Sequence, residues 1–231
     1  MNERIVIIIE CNMKKYDLMI FVFFVFFVCL FSFPIVFAHL PLSGKVIFLD
    51  AGHGGVDPGS VVGSIYEKDI NLSITKFLGE ELTKYGALVF YTRDGDYDLG
   101  SPNALYRKKS DFDGRIKKIN ESHADLYLSI HLNVLQDARY DGPQVFFNQK
   151  HDSNEELAKH IQTYLNQKLN HDREVKKIPS TTYMYSKLSV PGVLVECGFL
   201  SNFNERKKLI TESYQREFAK YLAEAIQSFN F

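Results

Sequence analysis

The hydrophobic pattern from residue 46 onward alternates short apolar runs with segments of helical periodicity. Residues 46–49 form a continuous apolar run that stops at Asp50 and a glycine-rich turn, which is typical of a central strand buried on both faces. Similar runs predict further strands at 87–91, 125–130, 145–147 and 193–195. Between and after these strands, apolar residues recur at helical spacing and predict helices at 70–85, 107–118, 157–165 and 218–226.

The alternation of strands and helices defines the expected fold class. Gly86 predicts the end of the first helix, because glycine readily adopts the left-handed backbone that closes helices. Ser153 and Glu156 form a capping-box pattern that predicts the start of a later helix. Strand and helix in this order favour an α/β fold, a single domain with a mostly parallel central β-sheet flanked by helices on both faces. Such sheets bind ligands at the carboxyl ends of their strands, where we expect the functional site.

The N-terminal region carries a different hydrophobic pattern. Residues 18–38 contain no charged side chain, and Lys14 and Lys15 precede them. This run is long enough to span a bilayer, which needs ~20 apolar residues, while 36–38 (VFA) resemble a signal-peptide cleavage site. We therefore expect residues 1–38 to be an uncleaved membrane anchor or a cleaved signal peptide, and residues 39–231 to form the folded domain. Both alternatives place that domain outside the membrane, because the lysines stay inside.

Charge, length and cysteine content limit the kind of protein this chain can be. The 27 basic and 28 acidic residues give a net charge of -1, so no strong field favours nucleic acid as a partner. The 231 residues suit one domain with a substantial core. Only Cys197 of the 3 cysteines belongs to the predicted domain, so it has no partner there for a disulfide. We expect Cys197 to be a small buried hydrophobic residue.

Four polar residues lie where the ligand site of this fold is expected. His53 follows the first strand within the glycine-rich sequence AGHGG, and Glu67 stands just before the first helix. His131 ends the third predicted strand, and Glu196 ends the last one. A carboxylate after three apolar strand residues is costly unless it has a partner or a function. We therefore expect these side chains to meet at the carboxyl edge of the sheet.

This set of residues suits metal-dependent hydrolysis. Two histidines and one carboxylate form the ligand set of catalytic zinc sites, so His53, Glu67 and His131 suit the ligand role. A second carboxylate can accept a proton from water and deliver it to a leaving amine, which suits Glu196. Taken singly, His53 also suits a turn, Glu67 a helix N-terminus and His131 a protein core. As a set they favour a metal hydrolase, one without the H-E-x-x-H signature of common zinc proteases.

Longer segments around these residues resemble a known family. They are similar to the zinc-dependent N-acetylmuramoyl-L-alanine amidases of the amidase-3 family and, within it, to members that act in sporulation. One departure is Ala51, where relatives commonly have proline before Gly-His; it concerns the rigidity of the turn and not the ligands. The similar segments follow one another in order through most of the predicted domain: 46–59 (VIFLDAGHGGVDPG), 67–69 (EKD), 86–93 (GALVFYTR), 115–120 (RIKKIN), 124–133 (ADLYLSIHLN) and 193–202 (VLVECGFLSN).

The resemblance implies a cofactor and a role for individual residues. It implies that His53, Glu67 and His131 bind one zinc ion and that Glu196 is the catalytic acid/base. It also implies that the domain at 39–231 is a catalytic domain. Three further residues match family positions, with an expected supporting role behind the ligands or in the fold: Arg115, Ser129 and Asn133.

The resemblance also implies a substrate and a location. The reaction would be hydrolysis of the amide between the lactyl group of muramic acid and the first L-alanine of the peptidoglycan stem peptide. For the sporulation members the substrate is spore-cortex peptidoglycan, and the bared muramic acid then serves the formation of muramic δ-lactam for germination. We therefore expect an exported protein, membrane-anchored or secreted, near the spore envelope. Because the chain carries no recognisable wall-binding module, we also expect an activating or localising partner protein.

Two other functions remain open from the sequence. A zinc peptidase that cuts within the stem peptide would use the same metal ligands, because the difference lies in the shape of the pocket. A non-catalytic wall-binding or scaffold protein would need the fold alone. The presence of all four residues, His53, Glu67, His131 and Glu196, counts against the scaffold.

Overall fold

The computed structural model describes residues 16–24, 26 and 40–230 of the chain. The chain divides into two compact units, Met1–His39 and Leu40–Phe231, and each is described by itself. In the first unit, residues 16–24 and 26 are helical and exposed. Among the described residues, no helix is both long enough and apolar enough to cross a bilayer. Most of the run predicted as an anchor or signal peptide lies outside the described residues, so this expectation stays a prediction.

The second unit is built on a six-stranded sheet with the order β4-β1-β5-β8-β6-β7. The neighbours in the first four positions run parallel, whereas β6 runs antiparallel to β8, and β7 is parallel to β6. Two short strands, β2 and β3, form a separate antiparallel hairpin. This arrangement confirms the predicted α/β class with a mostly parallel sheet. The strands are β1 Val46–Ala51, β2 Val61–Val62, β3 Ile65–Tyr66, β4 Leu88–Tyr91, β5 Leu126–Asn133, β6 Gln144–Phe147, β7 Lys176–Lys177 and β8 Gly192–Phe199.

Helices cover both faces of this sheet. Helices α1, α3 and α6 pack on one face, around buried side chains such as Ile74, Ile161 and Leu222. On the other face, α2 and α4 enclose a smaller cluster that includes Ile119 and Leu188. Cys197 is free and fully buried in the larger core, as expected. The helices are α1 Glu67–Lys84, α2 Arg107–Asn120, α3 Ser153–Leu169, α4 Tyr183–Lys187, α5 Phe203–Leu209 and α6 Glu212–Gln227.

Several element ends differ from the predicted ones. Strands β5 and β8 continue beyond residues 130 and 195, so His131 and Glu196 lie inside these strands and do not end them. Glu67 is the first residue of α1 and does not precede it. In strands β5 and β8 a polar residue interrupts the apolar run, but the strand continues because its backbone hydrogen bonds do not depend on side-chain polarity.

Two predicted helix ends have different outcomes. Gly86, with a φ of +92°, follows α1 in the left-handed region, as predicted. The predicted capping box at Ser153 is wrong, because the N-cap residue is Asp152 and no side chain caps this helix. Asp152 already has helical dihedral angles, φ −61° and ψ −35°, so Ser153 is part of the helix and not its cap.

Candidate metal centre and cleft

His53 lies at the carboxyl end of β1, two residues beyond Ala51. Its backbone has a φ of +61°, a left-handed conformation that is uncommon for a residue with a side chain. The guanidinium of Arg115 donates a hydrogen bond of 2.5 Å from Nη2 to the carbonyl of His53. Gly52 donates from its N–H to the carbonyl of Ile130 on the neighbouring strand β5. The turn that carries His53 is therefore fixed to both the sheet and α2.

Glu67 is held by several donors at the N-terminus of α1. Its side chain is buried, and Oε1 accepts hydrogen bonds from the Leu132 N–H at 3.1 Å and the Asn71 Nδ2 at 3.2 Å. Oε2 accepts from the Ser60 N–H at 2.9 Å. Burial alone raises the pKa of this carboxyl, but hydrogen bonds with His131 and His53 outweigh burial and lower it well below the usual range. Glu67 is therefore an ionised, rigidly placed acceptor.

His131 lies near the carboxyl end of β5, and its ring packs directly on Gly52. A Cβ atom on Gly52 would lie 2.3 Å from two atoms of the imidazole, so only glycine leaves room for the ring at this point. His131 Nδ1 is 3.1 Å from Glu67 Oε1, and His53 Nε2 is 3.2 Å from the same oxygen. The absence of a side chain at residue 52 thus allows β1 and β5 to bring both histidines to one carboxylate.

These three side chains form a possible metal site. One nitrogen or oxygen atom from each of His53, Glu67 and His131 lies within 4.8 Å of the others. Two imidazoles and one carboxylate are a donor set of catalytic metal centres that keep an open position, so the residues present fit such an ion. Burial lowers the pKa of His53, yet hydrogen bonds to Asp57 and Glu67 outweigh it and raise the pKa to about 9. Metal and protons therefore compete for this site.

Glu196 lines a cleft together with His53 and His131, but its surroundings differ from those of Glu67. It lies on β8 directly beside His131 of β5, in register with it. Its Oε2 is buried and has no hydrogen-bond partner among the described residues. Burial raises the pKa of Glu196 to about 7. The site thus has two carboxylates with opposite pKa shifts, a buried, ionised Glu67 in contact with the two histidines and a cleft-lining Glu196 that changes protonation near neutral pH, which is the pattern of an acid/base site.

Of the three residues expected to play a supporting role, Arg115 and Ser129 contact the site and, in the described part of the chain, Asn133 does not. Arg115 donates to Asp50 at 2.6 Å and to Asp111 at 2.8 Å, and both Arg115 and Asp50 are almost fully buried. Ser129 donates from Oγ to Asp50 Oδ2 at 2.7 Å. Asn133 ends β5 and accepts a backbone hydrogen bond from Leu200; among the described residues it does not line the cleft. Arg115 and Ser129 are therefore linked to the site through Asp50, and Arg115 also lines the cleft, whereas Asn133 does neither among the described residues.

The cleft has a volume of about 300 Å³, and its walls come from β1, β5, β8, α2 and the segment that contains α4. Phe112 of α2 and Tyr183 of α4 both line it, with ring centroids 6.5 Å apart. Tyr185 contributes a buried hydroxyl 3.2 Å from Ser129 Oγ. The lining of the cleft therefore combines polar side chains, His53, His131 and Glu196, with the aromatic rings of Phe112 and Tyr183.

Sequence reasoning missed three residues of this site. Asp50 interrupts a buried apolar run in the same way as Glu196, so a signal for it was present in the sequence. Asn71 follows Glu67 by four residues on one helix, which is the spacing of neighbouring side chains. Asp57 Oδ2 lies 2.9 Å from His53 Nδ1, a contact that depends on the fold of a glycine-rich loop and has no local signal.

The fold and the site define the class of protein first. A mostly parallel α/β sheet with a His-Glu-His cluster and a second carboxylate at its carboxyl edge is an arrangement suited to metal-assisted hydrolysis. The sequence profile of the N-acetylmuramoyl-L-alanine amidase family matches residues 47–228, and the chain belongs to this family. It is therefore an amidase, a hydrolase, and the resemblance seen in the sequence is confirmed.

Individual relatives agree with this membership. The germination-specific N-acetylmuramoyl-L-alanine amidase of Bacillus subtilis (strain 168) is 42% identical over 191 residues, which cover 81% of this chain and 80% of the relative. Among solved structures, CwlD from Clostridioides difficile in complex with the GerS lipoprotein is 38% identical, with a TM-score of 0.75 over 79% of this chain and 96% of that chain. An N-acetylmuramoyl-L-alanine amidase from Clostridium difficile 630 is 29% identical, with a TM-score of 0.70 over 80% and 95%.

Proposed function

We propose that this protein hydrolyses the amide between the lactyl group of muramic acid and the first L-alanine of the stem peptide, in spore-cortex peptidoglycan. The observation that carries the proposal is the His-Glu-His cluster beside Glu196 in one cleft of a chain that belongs to the amidase family. The similarity to a germination-specific relative supports the cortex as the place of action. The product would be bared muramic acid that serves the formation of muramic δ-lactam.

The proposed ligands of one zinc ion are His53, Glu67 and His131. Their donor atoms lie close enough together for a single ion, and the set of two imidazoles and one carboxylate is common in catalytic zinc sites. When bound, zinc would supply a Lewis acid that polarises the scissile carbonyl and lowers the pKa of water to ~7. The chain's own part is to hold the three ligands rigidly, which the donors to Glu67 and the packing of His131 on Gly52 achieve.

Glu196 is the proposed catalytic acid/base. Its Oε2 is without a hydrogen-bond partner among the residues described, so it is free to accept a proton from the attacking water. The same oxygen would then donate this proton to the alanine nitrogen as the amide bond breaks, which leaves a free amine and a lactyl carboxylate. A pKa of about 7 supports both steps, because the group accepts and releases a proton near neutral pH.

Arg115 and Ser129 are proposed to support the site through Asp50. Both side chains donate to the Asp50 carboxylate at the end of β1, and Arg115 also holds the carbonyl of His53. Loss of either contact would loosen the turn that presents the imidazole. Asn133 contributes to the junction between β5 and the residues after β8 through its backbone, and we assign it to the fold and not to the site.

The location and the partner are part of the same proposal. We propose that residues 1–38 export the chain as a membrane anchor or a cleaved signal peptide, and that residues 39–231 act as the catalytic domain outside the membrane. CwlD from Clostridioides difficile was solved in complex with the GerS lipoprotein. We propose that this chain likewise works with a partner protein at the spore envelope, where peptidoglycan is its substrate.

The test is product analysis by mass spectrometry. The full chain, purified in mild detergent, is incubated with cortex peptidoglycan and, in parallel, with vegetative peptidoglycan, each with added zinc or with a chelator. We expect zinc-dependent release of intact stem peptides, faster from cortex. Cleavage within the stem peptide would identify a peptidase instead. No release from either substrate, with zinc bound and with envelope proteins added, would favour a scaffold.

A further inference from the structure

The loop between His53 and Gly59 folds back onto the His53 side chain. Gly54 and Asp57 exchange two backbone hydrogen bonds, of 2.9 and 3.0 Å, which close a tight turn. Within this turn Asp57 Oδ1 accepts a hydrogen bond of 3.1 Å from the Gly59 N–H. The second oxygen, Oδ2, lies 2.9 Å from His53 Nδ1. The turn therefore fixes one oxygen of Asp57 on the backbone and aims the other at the imidazole.

The two nitrogens of the His53 ring face different groups. Nε2 lies 3.2 Å from Glu67 Oε1, inside the cluster of candidate ligands. Nδ1 faces outward to Asp57. An ionised carboxylate can only accept, so its contact with Nδ1 requires the ring proton on that nitrogen. Nε2 likewise holds a proton towards Glu67 until a metal ion displaces it; Nδ1 then keeps its proton on Asp57, and the lone pair of Nε2 points into the cluster, as a metal ligand requires.

We propose that Asp57 is a positioning residue that fixes the ring orientation and the tautomer of His53 for metal binding. The inference rests on the proposed zinc centre and is independent of which bond the enzyme cuts. It follows the general rule that a metal-binding histidine donates its other N–H to a carboxylate or carbonyl. Lys108 Nζ, 3.3 Å from Asp57 Oδ2 and largely exposed, balances the charge of the carboxylate without displacing it from the ring.

Asp57→Asn and Asp57→Ala separate this role from a structural one. In Asp57→Asn the amide oxygen keeps the bond to the Gly59 N–H, so the amide nitrogen occupies the position of Oδ2 and donates to His53 Nδ1. The ring proton then moves to Nε2 and blocks the ligand position. Asp57→Ala removes the contact without imposing the wrong tautomer. A structural role predicts the opposite order, because asparagine preserves the turn and alanine does not.

Asp98→Asn is the matched control. Asp98 also accepts from the N–H two residues later, Gly100 at 2.9 Å, and also pairs with a basic side chain, Arg107 at 3.0 Å. Among the described residues its side chain makes no hydrogen bond to His53, Glu67 or His131. Asp98 also accepts a long hydrogen bond of 3.4 Å from the Val56 N–H, so the control removes a charge and a contact of the same loop without a contact to a candidate ligand.

The experiment measures zinc affinity of the full chain by competition with a chromophoric chelator. We expect the dissociation constant to rise about 10–100-fold in Asp57→Ala, to rise at least as much in Asp57→Asn, and to stay within twofold in Asp98→Asn. Nitrogen NMR of histidine-labelled protein without zinc, recorded above pH 9 where the His53 ring is neutral and with its signal assigned by its loss in His53→Gln, should show the proton on Nδ1 in the wild type and on Nε2 in Asp57→Asn. Unfolding midpoints without zinc verify that each variant is folded.

Four results would overturn the inference. They are wild-type affinity in Asp57→Asn, a milder loss in asparagine than in alanine, an equal loss in Asp98→Asn, and an unchanged tautomer. A wild-type chain that binds no zinc would overturn the proposed metal centre and this inference with it. Zinc binding that depends on Asp57, in a protein that releases no stem peptide, would contradict the proposed reaction alone.

Discussion

The β1 side and the β8 side of the cleft each carry a carboxylate near the carboxyl edge of the sheet, in contrasting surroundings. On the β1 side, Asp50 accepts hydrogen bonds from Arg115, Ser129 and Thr92 at 2.6 to 2.8 Å. On the β8 side, the residue Glu196 is half-buried, and its buried Oε2 atom lacks a hydrogen-bond partner within the described part of the chain. One strand, β5, separates the two strands that carry these carboxylates.

The difference in partners gives the two carboxyl groups opposite properties. Burial raises the pKa of Asp50, but the Arg115 guanidinium together with the hydrogen bonds from Ser129 and Thr92 outweighs burial and lowers the pKa below the usual range, so the group stays ionised and holds the turn at His53. For Glu196, burial outweighs the opposing effect of the two nearby histidines, and its pKa rises to about 7. A satisfied charge fixes structure, whereas an unsatisfied one is kept ready to exchange a proton.

The largest expected effect comes from removing the reactive carboxylate. Glu196→Gln keeps the shape of the side chain but cannot accept the proton, so we expect stem-peptide release to fall by about 10²–10⁴-fold. We expect zinc affinity and the folded state to be retained, because no hydrogen bond to Oε2 is lost. Release rates by mass spectrometry measure the first effect and denaturant unfolding the second. An active variant would remove Glu196 from the catalytic role.

Removal of the cation that pairs with Asp50 should instead reduce the stability of the fold. Arg115→Met leaves Asp50 and Asp111 buried without their cation, and breaking a buried pair in this way typically costs about 3–5 kcal/mol. The control is Arg139→Met, which removes a surface pair with Asp137 and should leave stability unchanged. Urea unfolding of the full chain measures both. Equal stability of the two variants would show that the Asp50 network does not hold the fold.

The pH dependence of stability should reveal the unsatisfied carboxylate. The pKa of Glu196 rises from its ordinary 4.5 to about 7 in the folded state, which therefore binds this proton more tightly than the unfolded chain. The stabilisation is complete below pH 4.5 and is lost as the pH rises through about 7. Relative to Glu196→Gln, the chelator-treated wild type should lose stability on the order of 3 kcal/mol over this range. A difference that does not change with pH would contradict the raised pKa.

The smallest expected effect comes from the close contact between Gly52 and the His131 ring. Gly52→Ala places a Cβ atom within 2.3 Å of the His131 ring, and overpacking of this kind typically costs about 1–3 kcal/mol. Because the ring must move, we expect zinc affinity to fall together with stability. Gly95→Ala is the control, since its Cβ would make only an ordinary contact of 3.4 Å with Tyr97. Unchanged zinc affinity in Gly52→Ala would show that His131 tolerates displacement.

Long elements could be predicted from the sequence, and short ones could not. Helix α1 and strand β1 follow from periodicity and from a continuous apolar run, because a buried face must repeat with the geometry of its element. Strand β7, with two residues, and helix α4, with five, are too short to show a period. They form because the rest of the chain presents a sheet edge and a hydrophobic surface to them.

The candidate site divides in the same way. His53, Glu67, His131 and Glu196 could be selected from the sequence because each is a polar residue beside a buried element. The structure brings His53, His131 and Glu196 to one cleft and places the buried Glu67 in contact with both histidines. Asp57 could not be selected as a neighbour of His53. Its contact with the ring depends on a loop whose conformation is set by glycines and by backbone hydrogen bonds.

The sequence by itself determined the α/β order of elements and the residues available for chemistry, because hydrophobic periodicity and residue type are local properties. Only the tertiary structure decided which of these residues meet. Glu67 and His131 are separated by 64 residues, and Asp50 and Arg115 by 65, so their contacts depend on strand order and register. The tertiary structure also decided that Asp50 is paired and that Glu196 Oε2 has no hydrogen-bond partner among residues 16–24, 26 and 40–230, because the supply of donors around a buried carboxylate is a property of the packed neighbourhood.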